Sequence, residues 1–165
     1  MIKDPERIKL IALRCEDENW DFRSWLKMQD TEKVDEIVHR LNRKYSDAID
    51  CTACANCCIE LKTLVTGKDV SRLARSLKIS EAELRKEYIE TNSEGDMILK
   101  DLPCRFLQNK KCTVYPDRPD ECRSYPHLHK KEFTHRLYGI IDNYSVCPIV
   151  FNVYEELKGR MGYKG

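Results

Sequence analysis

Cysteines are the residues of this chain whose type and spacing can do chemistry. Four of the nine lie in one run without a charged side chain, Cys51-Thr52-Ala53-Cys54-Ala55-Asn56-Cys57-Cys58. Thiolates this close repel one another unless a cation neutralises them, and thiolate is the ligand that soft metals and iron–sulfur clusters select. The sequence therefore predicts a cysteine-ligated metal. The candidate ligands are Cys51, Cys54, Cys57, Cys58, Cys104, Cys112, Cys122 and Cys147.

A disulfide framework is the other use of clustered cysteines. It is typical of exported chains of less than about 100 residues with a cysteine content above about 8%. This chain has 165 residues and nine cysteines, and its first residues show no apolar run of a signal peptide. In a reducing compartment, clustered cysteines are more often metal ligands. Metal is therefore favoured over disulfides, and a cytoplasmic location is expected.

The spacing of the ligands favours iron–sulfur over zinc. Cys51, Cys54 and Cys57 recur every third residue, as in bacterial ferredoxins, where a distant Cys-Pro such as Cys147-Pro148 completes the set. Zinc ribbons more often pair two separate C-x-x-C knuckles. The predicted cofactor is one or more iron–sulfur clusters of the [4Fe-4S] type, with Zn²⁺ as the alternative.

The doublet Cys57-Cys58 suggests two sites, because neighbouring side chains diverge by about 100° in a helix and about 180° in a strand. One site would then use Cys58, and the other Cys57. The working partition is Cys51, Cys54, Cys57 and Cys147 for one site, and Cys58, Cys104, Cys112 and Cys122 for the other. One larger site with spare cysteines remains open.

Basic and aromatic residues surround the later cysteines in sequence. Between positions 104 and 131 there are seven basic and three acidic residues. Four thiolates around Zn²⁺ or a [4Fe-4S]²⁺ core leave a charge of about −2, which favours nearby cations. A solvated basic loop is the plain alternative. The candidates for contacts around the ligands or for an anion pocket are Arg105, Tyr115, Arg118, Arg123 and Tyr125.

Helices are predicted on both sides of the cysteine run. The apolar positions from Val34 to Tyr45 follow the helical period, and Asp30 is a plausible N-cap. Two short helices are expected at 70–77 and 80–89, the second capped by Ser80, with a turn at Gly67 before them. A further helix is expected after Cys147, with Pro148 in its first turn.

Strands are expected only between these helices. Residues 97–99 are strand-like, and 104–107 and 112–115 flank the turn-prone stretch 108–111 as a small hairpin. No structure is assigned to 132–146. The predicted fold is mainly α, α-rich α+β, with a small β-hairpin and irregular cysteine-bearing loops tied by metal. A single domain is expected, with a helical extension at 1–50 packed on a cysteine-cluster core at 51–148 and a closing helix at 149–165.

Charge and hydropathy exclude several partners. The net charge of +1, with 35% charged residues, gives no global attraction to nucleic acid, and no stretch approaches the roughly 18 apolar residues of a membrane span. The segment 69–90 could form a helix-turn-helix, but its second helix carries four glutamates, the wrong sign for phosphate. Nucleic acid and membrane are therefore not expected as partners.

The cysteines belong to a longer pattern, Cys51-x2-Cys54-x2-Cys57-Cys58, Pro103-Cys104-Arg105-Phe106-Leu107, Cys112-x-Val114-Tyr115-x2-Arg118-Pro119-x2-Cys122-Arg123-x-Tyr125-Pro126 and Cys147-Pro148. In this pattern the chain resembles the YkgJ-type CxxCxxCC family of zinc- or iron-chelating proteins, to which flagellin lysine N-methylase is related. The resemblance implies that these eight cysteines are ligands, that Cys15 is not, and that the fold is compact and α-rich.

These observations predict a cofactor more securely than a reaction. The expected function is cysteine-ligated metal binding, acting in protein modification or electron transfer with a protein substrate or redox partner. The alternative is a non-catalytic structural, carrier or sensor module stabilised by zinc. No G-x-G-x-x-G loop is present, and the triplet is C-x2-C-x2-C instead of the C-x3-C-x2-C usual in radical S-adenosylmethionine chemistry.

Overall fold

The computed structural model describes residues 1–165, which form ten α-helices and two small antiparallel sheets. This confirms the predicted mainly α fold. The chain divides into two compact units, one made of 1–50 with 126–165 (unit 1) and one made of 51–125 (unit 2). The prediction of a single domain stays a prediction. None of the helices has the length and apolar character needed to cross a membrane.

Unit 1 is helical throughout. Its helices are α1 (Pro5–Arg14), α2 (Glu16–Leu26), α3 (Thr31–Ala48), α9 (Leu137–Tyr144) and α10 (Pro148–Arg160), with a short 3₁₀ helix at Phe133–His135. α10 packs on α3 and α9, and its apolar side chains are buried along most of its length. The sequence analysis assigned no structure to 132–146. These residues contain the 3₁₀ helix and α9.

The ends of two helices in unit 1 follow the predicted capping chemistry. The side chain of Asp30 accepts hydrogen bonds from the N–H groups of Glu32 and Lys33, which confirms it as the N-cap of α3. Pro148 is the first residue of α10, where a missing N–H costs no helical hydrogen bond. Both predictions depended on local chemistry alone.

Unit 2 combines short helices with two hairpins. Its helices are α4 (Cys51–Cys54), α5 (Asn56–Glu60), α6 (Gly67–Leu77), α7 (Glu81–Tyr88) and α8 (Asp120–Ser124). Strands β1 (Ile89–Thr91) and β2 (Met97–Leu99) pair through the register Glu90 to Ile98, and β3 (Leu107–Gln108) pairs with β4 (Lys111–Cys112). The core of the unit consists of Val65, Val70, Leu73, Ala74, Leu84, Ile89, Leu99, Phe106 and Val114.

Two local predictions in unit 2 differ from the structure. Gly67 is not in a turn but is the first residue of α6, because Thr66 and Asp69 form a capping box around it. The helix from Ser80 ends at Tyr88, since Ile89 pairs with Leu99 as the first residue of β1. A hairpin lies within 104–115 as predicted, but its strands have only two residues each, and Gln108 and Lys111, which were predicted in the turn, pair with each other.

Candidate metal centre

Two short helices carry the cysteine run. Cys51 and Cys54 lie on α4, and Cys57 and Cys58 lie on α5. Ala55 separates the helices in the left-handed region at φ 55° and is buried, so the first helix ends there and a new helix begins. The backbone N–H of Cys104 donates to the carbonyl of Cys58 at 2.7 Å, which joins α5 to the segment that leads into the β3–β4 hairpin.

The hairpin presents two more cysteines. Asn109 and Lys110 both have positive φ, 49° and 62°, as a tight two-residue hairpin turn requires. Cys112 ends β4, and Cys104 lies three residues before β3. Each sulfur accepts a hydrogen bond from the backbone N–H two residues later, at Phe106 for Cys104 and at Val114 for Cys112. Amide donors of this kind stabilise negative charge on thiolate ligands.

Cys122 lies on α8, and its sulfur is 3.4 Å from the hydroxyl oxygen of Thr63. The start of α8 is held by Asp69, which is fully buried and accepts a hydrogen bond from the backbone N–H of Asp120 at 3.0 Å. Arg72 pairs with Asp69 and also donates to the carbonyl of Arg118 at 2.9 Å. These contacts fix the segment that carries Cys122 against α6.

Four thiols of unit 2 influence one another electrostatically. The pKa of Cys104 is raised to about 11, mainly by burial and also by the charges of Cys58, Cys122 and Cys112. Burial, together with the charge of Cys58, also raises the pKa of Cys112 and of Cys122. These are the four cysteines that the sequence analysis assigned to one site, and that partition stays a prediction.

Cys58 differs from its neighbours. A hydrogen bond from the Cys57 side chain lowers the pKa of Cys58 to about 7. The two adjacent side chains are therefore in contact, unlike the divergence that the sequence analysis expected. The pKa of Cys58 is thus lowered, whereas burial raises the pKa of Cys104, Cys112 and Cys122, and a bound cation would relieve the repulsion among the four as thiolates.

The predicted ligands are not all equivalent in the structure. Cys51 is exposed, whereas Cys147 is buried at 5% exposure in unit 1, where it precedes the first turn of α10. Cys15 also lies in unit 1, close enough to Tyr144 to influence its pKa. No three His, Cys, Asp or Glu side chains stand in a metal-coordinating arrangement. The ligand roles of the eight cysteines stay predictions.

Arginine contacts surround part of the group. Arg118 stacks over the half-exposed ring of Tyr115 at 3.8 Å. Its positive charge opposes the rise that burial causes in the pKa of Cys112 and of Cys122. Arg105 instead pairs with Asp101 at 2.8 Å and lies 4.8 Å from the ring of Tyr88.

Two other residues predicted near the ligands act through the backbone around α8. Arg123 donates to the carbonyls of Arg118 and Pro116, and Tyr125 follows the last residue of α8. Arg123 therefore stabilises the segment around Cys122, whereas the backbone N–H of Tyr125 closes the last turn of α8 on Glu121. The predicted contact of both residues with a cofactor stays a prediction.

The donor set of unit 2 fits a soft metal. Four neighbouring thiols, two amide donors and one guanidinium match what zinc and iron–sulfur centres require. The sequence profile of the CxxCxxCC family, described as "Putative zinc- or iron-chelating domain", matches residues 50–138. The chain belongs to this family. No curated protein and no solved structure matches the chain.

The match covers seven of the eight predicted ligands of this CxxCxxCC protein and leaves Cys147 outside. It establishes the zinc- or iron-chelating family and therefore metal binding as the general property. Sequence reasoning missed Thr63, which contacts Cys122, and Asp69 and Arg72, which hold the start of α8. Thr66 and Asp69 have the spacing of a capping box and could have been found, whereas nothing local points to Thr63.

Proposed function

We propose that unit 2 is a metal-binding module in which Cys58, Cys104, Cys112 and Cys122 hold the metal as thiolates. The observation that carries the proposal is the family match over residues 50–138, which includes all four cysteines, and the backbone hydrogen bond of 2.7 Å between Cys104 and Cys58 supports it. The backbone N–H groups of Phe106 and Val114 supply the hydrogen bonds that such a negative centre needs. Arg118 adds a positive charge on the side of Cys112 and Cys122.

We infer that the occupant is an iron–sulfur cluster. The support is the three-residue repeat of Cys51, Cys54 and Cys57 directly before Cys58, which gives this unit more thiols than one Zn²⁺ ion uses. Such a cluster supplies one-electron chemistry when bound. The proposal therefore extends to a protein redox partner or a protein substrate, in the cytoplasm.

A zinc-stabilised structural module is the second candidate. The tight β3–β4 hairpin favours it, because Cys104 and Cys112 each accept an amide hydrogen bond there, as in compact four-thiolate sites. In that case the metal joins α5, the hairpin and α8 without an open position for substrate. Removal of zinc by a chelator would then lower the urea midpoint of unfolding.

Anaerobic purification of the full chain, with iron, zinc and acid-labile sulfide analysis and an optical spectrum, tests the proposal. Iron with sulfide and broad visible absorption is expected, and both should be lost in C104A and C122A. The matched control is C15A, which removes a thiol of unit 1 and should keep the metal. Stoichiometric colourless zinc lost in the same variants would overturn the cluster and support the second candidate. Metal content unchanged in C104A and C122A would overturn the whole ligand set.

A further inference from the structure

The hydroxyl of Thr63 is a polar group at the proposed centre that has no role in holding metal directly. Its oxygen lies 3.4 Å from the sulfur of Cys122, within the range of an O–H···S hydrogen bond, and both side chains are half-buried. Once Cys122 is a thiolate, its sulfur can only accept, so the hydroxyl must be the donor. A hydrogen bond of this kind withdraws electron density from the sulfur.

The position of Thr63 is set by the backbone of unit 2. Its carbonyl accepts a hydrogen bond from the N–H of Leu99 at 3.0 Å, and the next residue, Leu64, pairs with Ile98 in an isolated antiparallel bridge. The N–H of Val65 donates to the carbonyl of Met97 at 2.9 Å. Residues 63–65 thus lie along β2, and the side chain of Thr63 projects from a fixed extended backbone.

The position of Cys122 is set from the opposite side. Arg72 donates to the carboxylate of Asp120 at 2.8 Å, and the N–H of Asp120 donates to Asp69. α8 therefore begins at a point held by α6, two residues before Cys122. Neither anchor uses a cysteine side chain, so the hydroxyl and the sulfur are placed against each other by contacts that do not include the thiols.

We propose that Thr63 is a positioning residue that donates an O–H···S hydrogen bond to the Cys122 ligand and thereby weakens electron donation from that sulfur to the metal. The proposal rests on the metal centre proposed above and adds a determinant of its electronic character. It predicts an effect on spectrum or potential, which a purely structural hydroxyl would not have.

Cobalt(II) titration of the metal-free full chain under anaerobic conditions tests this role, because the energy of thiolate-to-cobalt charge-transfer absorption follows the electron density on sulfur. T63V removes the hydroxyl at nearly constant shape and should shift this absorption to longer wavelength. T63S keeps the hydroxyl and should retain the wild-type spectrum. If T63V does not fold, T63A replaces it, and its absorption should also shift to longer wavelength.

The matched control is T113V. The hydroxyl of Thr113 donates to the carbonyl of Phe106 at 3.2 Å and not to a sulfur, so its loss should leave the absorption unchanged. A wild-type absorption in both T63V and T63A would overturn the role of Thr63 and leave the centre intact. A wild-type chain that shows no charge-transfer absorption at all would overturn the centre itself, and with it this proposal.

Discussion

The backbone N–H of Asp120 donates to the buried carboxylate of Asp69 at 3.0 Å, and this bond holds the helix that carries Cys122 against α6. Asp69 also accepts from the N–H of Thr66 at 2.8 Å and pairs with Arg72. Burial opposes the charge of Asp69, but these donors together hold its pKa below the ordinary value. One carboxylate therefore caps a helix and anchors a ligand segment.

We predict that D69N lowers the free energy of unfolding by about 2 to 3 kcal/mol, because the amide replaces a charge that accepts several hydrogen bonds in a buried place. Urea unfolding measures the change. D96N is the control, since Asp96 is exposed in the β1–β2 turn and should change stability by less than about 0.5 kcal/mol. Equal stabilities of the two variants would show that the anchor is dispensable.

Loss of the charge at Arg118 should weaken the metal centre. In R118Q we expect about tenfold weaker metal binding, measured by competition with a chelator. Loss of a residue that interacts with metal ligands commonly costs about 10- to 100-fold in affinity, and this value is at the lower end. R118K keeps a positive charge and should be less affected. K68Q is a charge-matched control on the exposed side of α6 and should bind as the wild type does. Equal affinity in R118Q and K68Q would contradict the prediction.

Glu156 gives unit 1 a defined acid sensitivity. Its carboxylate accepts hydrogen bonds from Lys44 and from the Tyr45 hydroxyl, and these lower its pKa from 4.5 to about 2. Because the folded pKa lies below the unfolded one, the stabilisation is fully present above about pH 4.5. It is lost as the pH falls towards 2.

E156Q should therefore be less stable than the wild type at pH 7 by about 1 kcal/mol, a modest value because Glu156 is partly exposed. The difference should shrink between pH 4.5 and 2. Urea unfolding at several pH values measures it. E36Q is the control, because Glu36 is exposed on α3 and should follow the wild type at every pH. A difference that does not change with pH would argue against ionisation of Glu156 as its cause.

Asp35 organises the segment before α9. Its two carboxylate oxygens accept the backbone N–H groups of Glu132 and Phe133 at 2.8 and 2.9 Å, and the residue is 8% exposed. D35A leaves both donors without this acceptor, so we expect a loss of about 2 kcal/mol and faster amide hydrogen exchange at both positions. D47A, an exposed substitution on the same helix, should leave these exchange rates unchanged.

Local sequence chemistry predicted those elements whose stabilising contacts lie within a few residues. Asp30 caps α3, Ser80 caps α7 and Pro148 opens α10 as expected. The turn predicted at Gly67 is wrong, because the capping box of Thr66 and Asp69 makes Gly67 the first residue of α6. Ile89 lies in β1 and not in the predicted helix, because it pairs with Leu99, ten residues further along the chain.

The sequence by itself determined that this chain belongs to a metal-binding family, because the cysteine run and Cys104, Cys112 and Cys122 after it lie within the match to the family model. It also determined the helices that local periodicity and caps encode. Only the tertiary structure decided which thiols lie together. Cys58, Cys104 and Cys122 are brought into electrostatic range by a backbone bond between Cys58 and Cys104 and by the Asp69 anchor. Such contacts join residues about 50 positions apart, and their geometry depends on packing that no local pattern specifies.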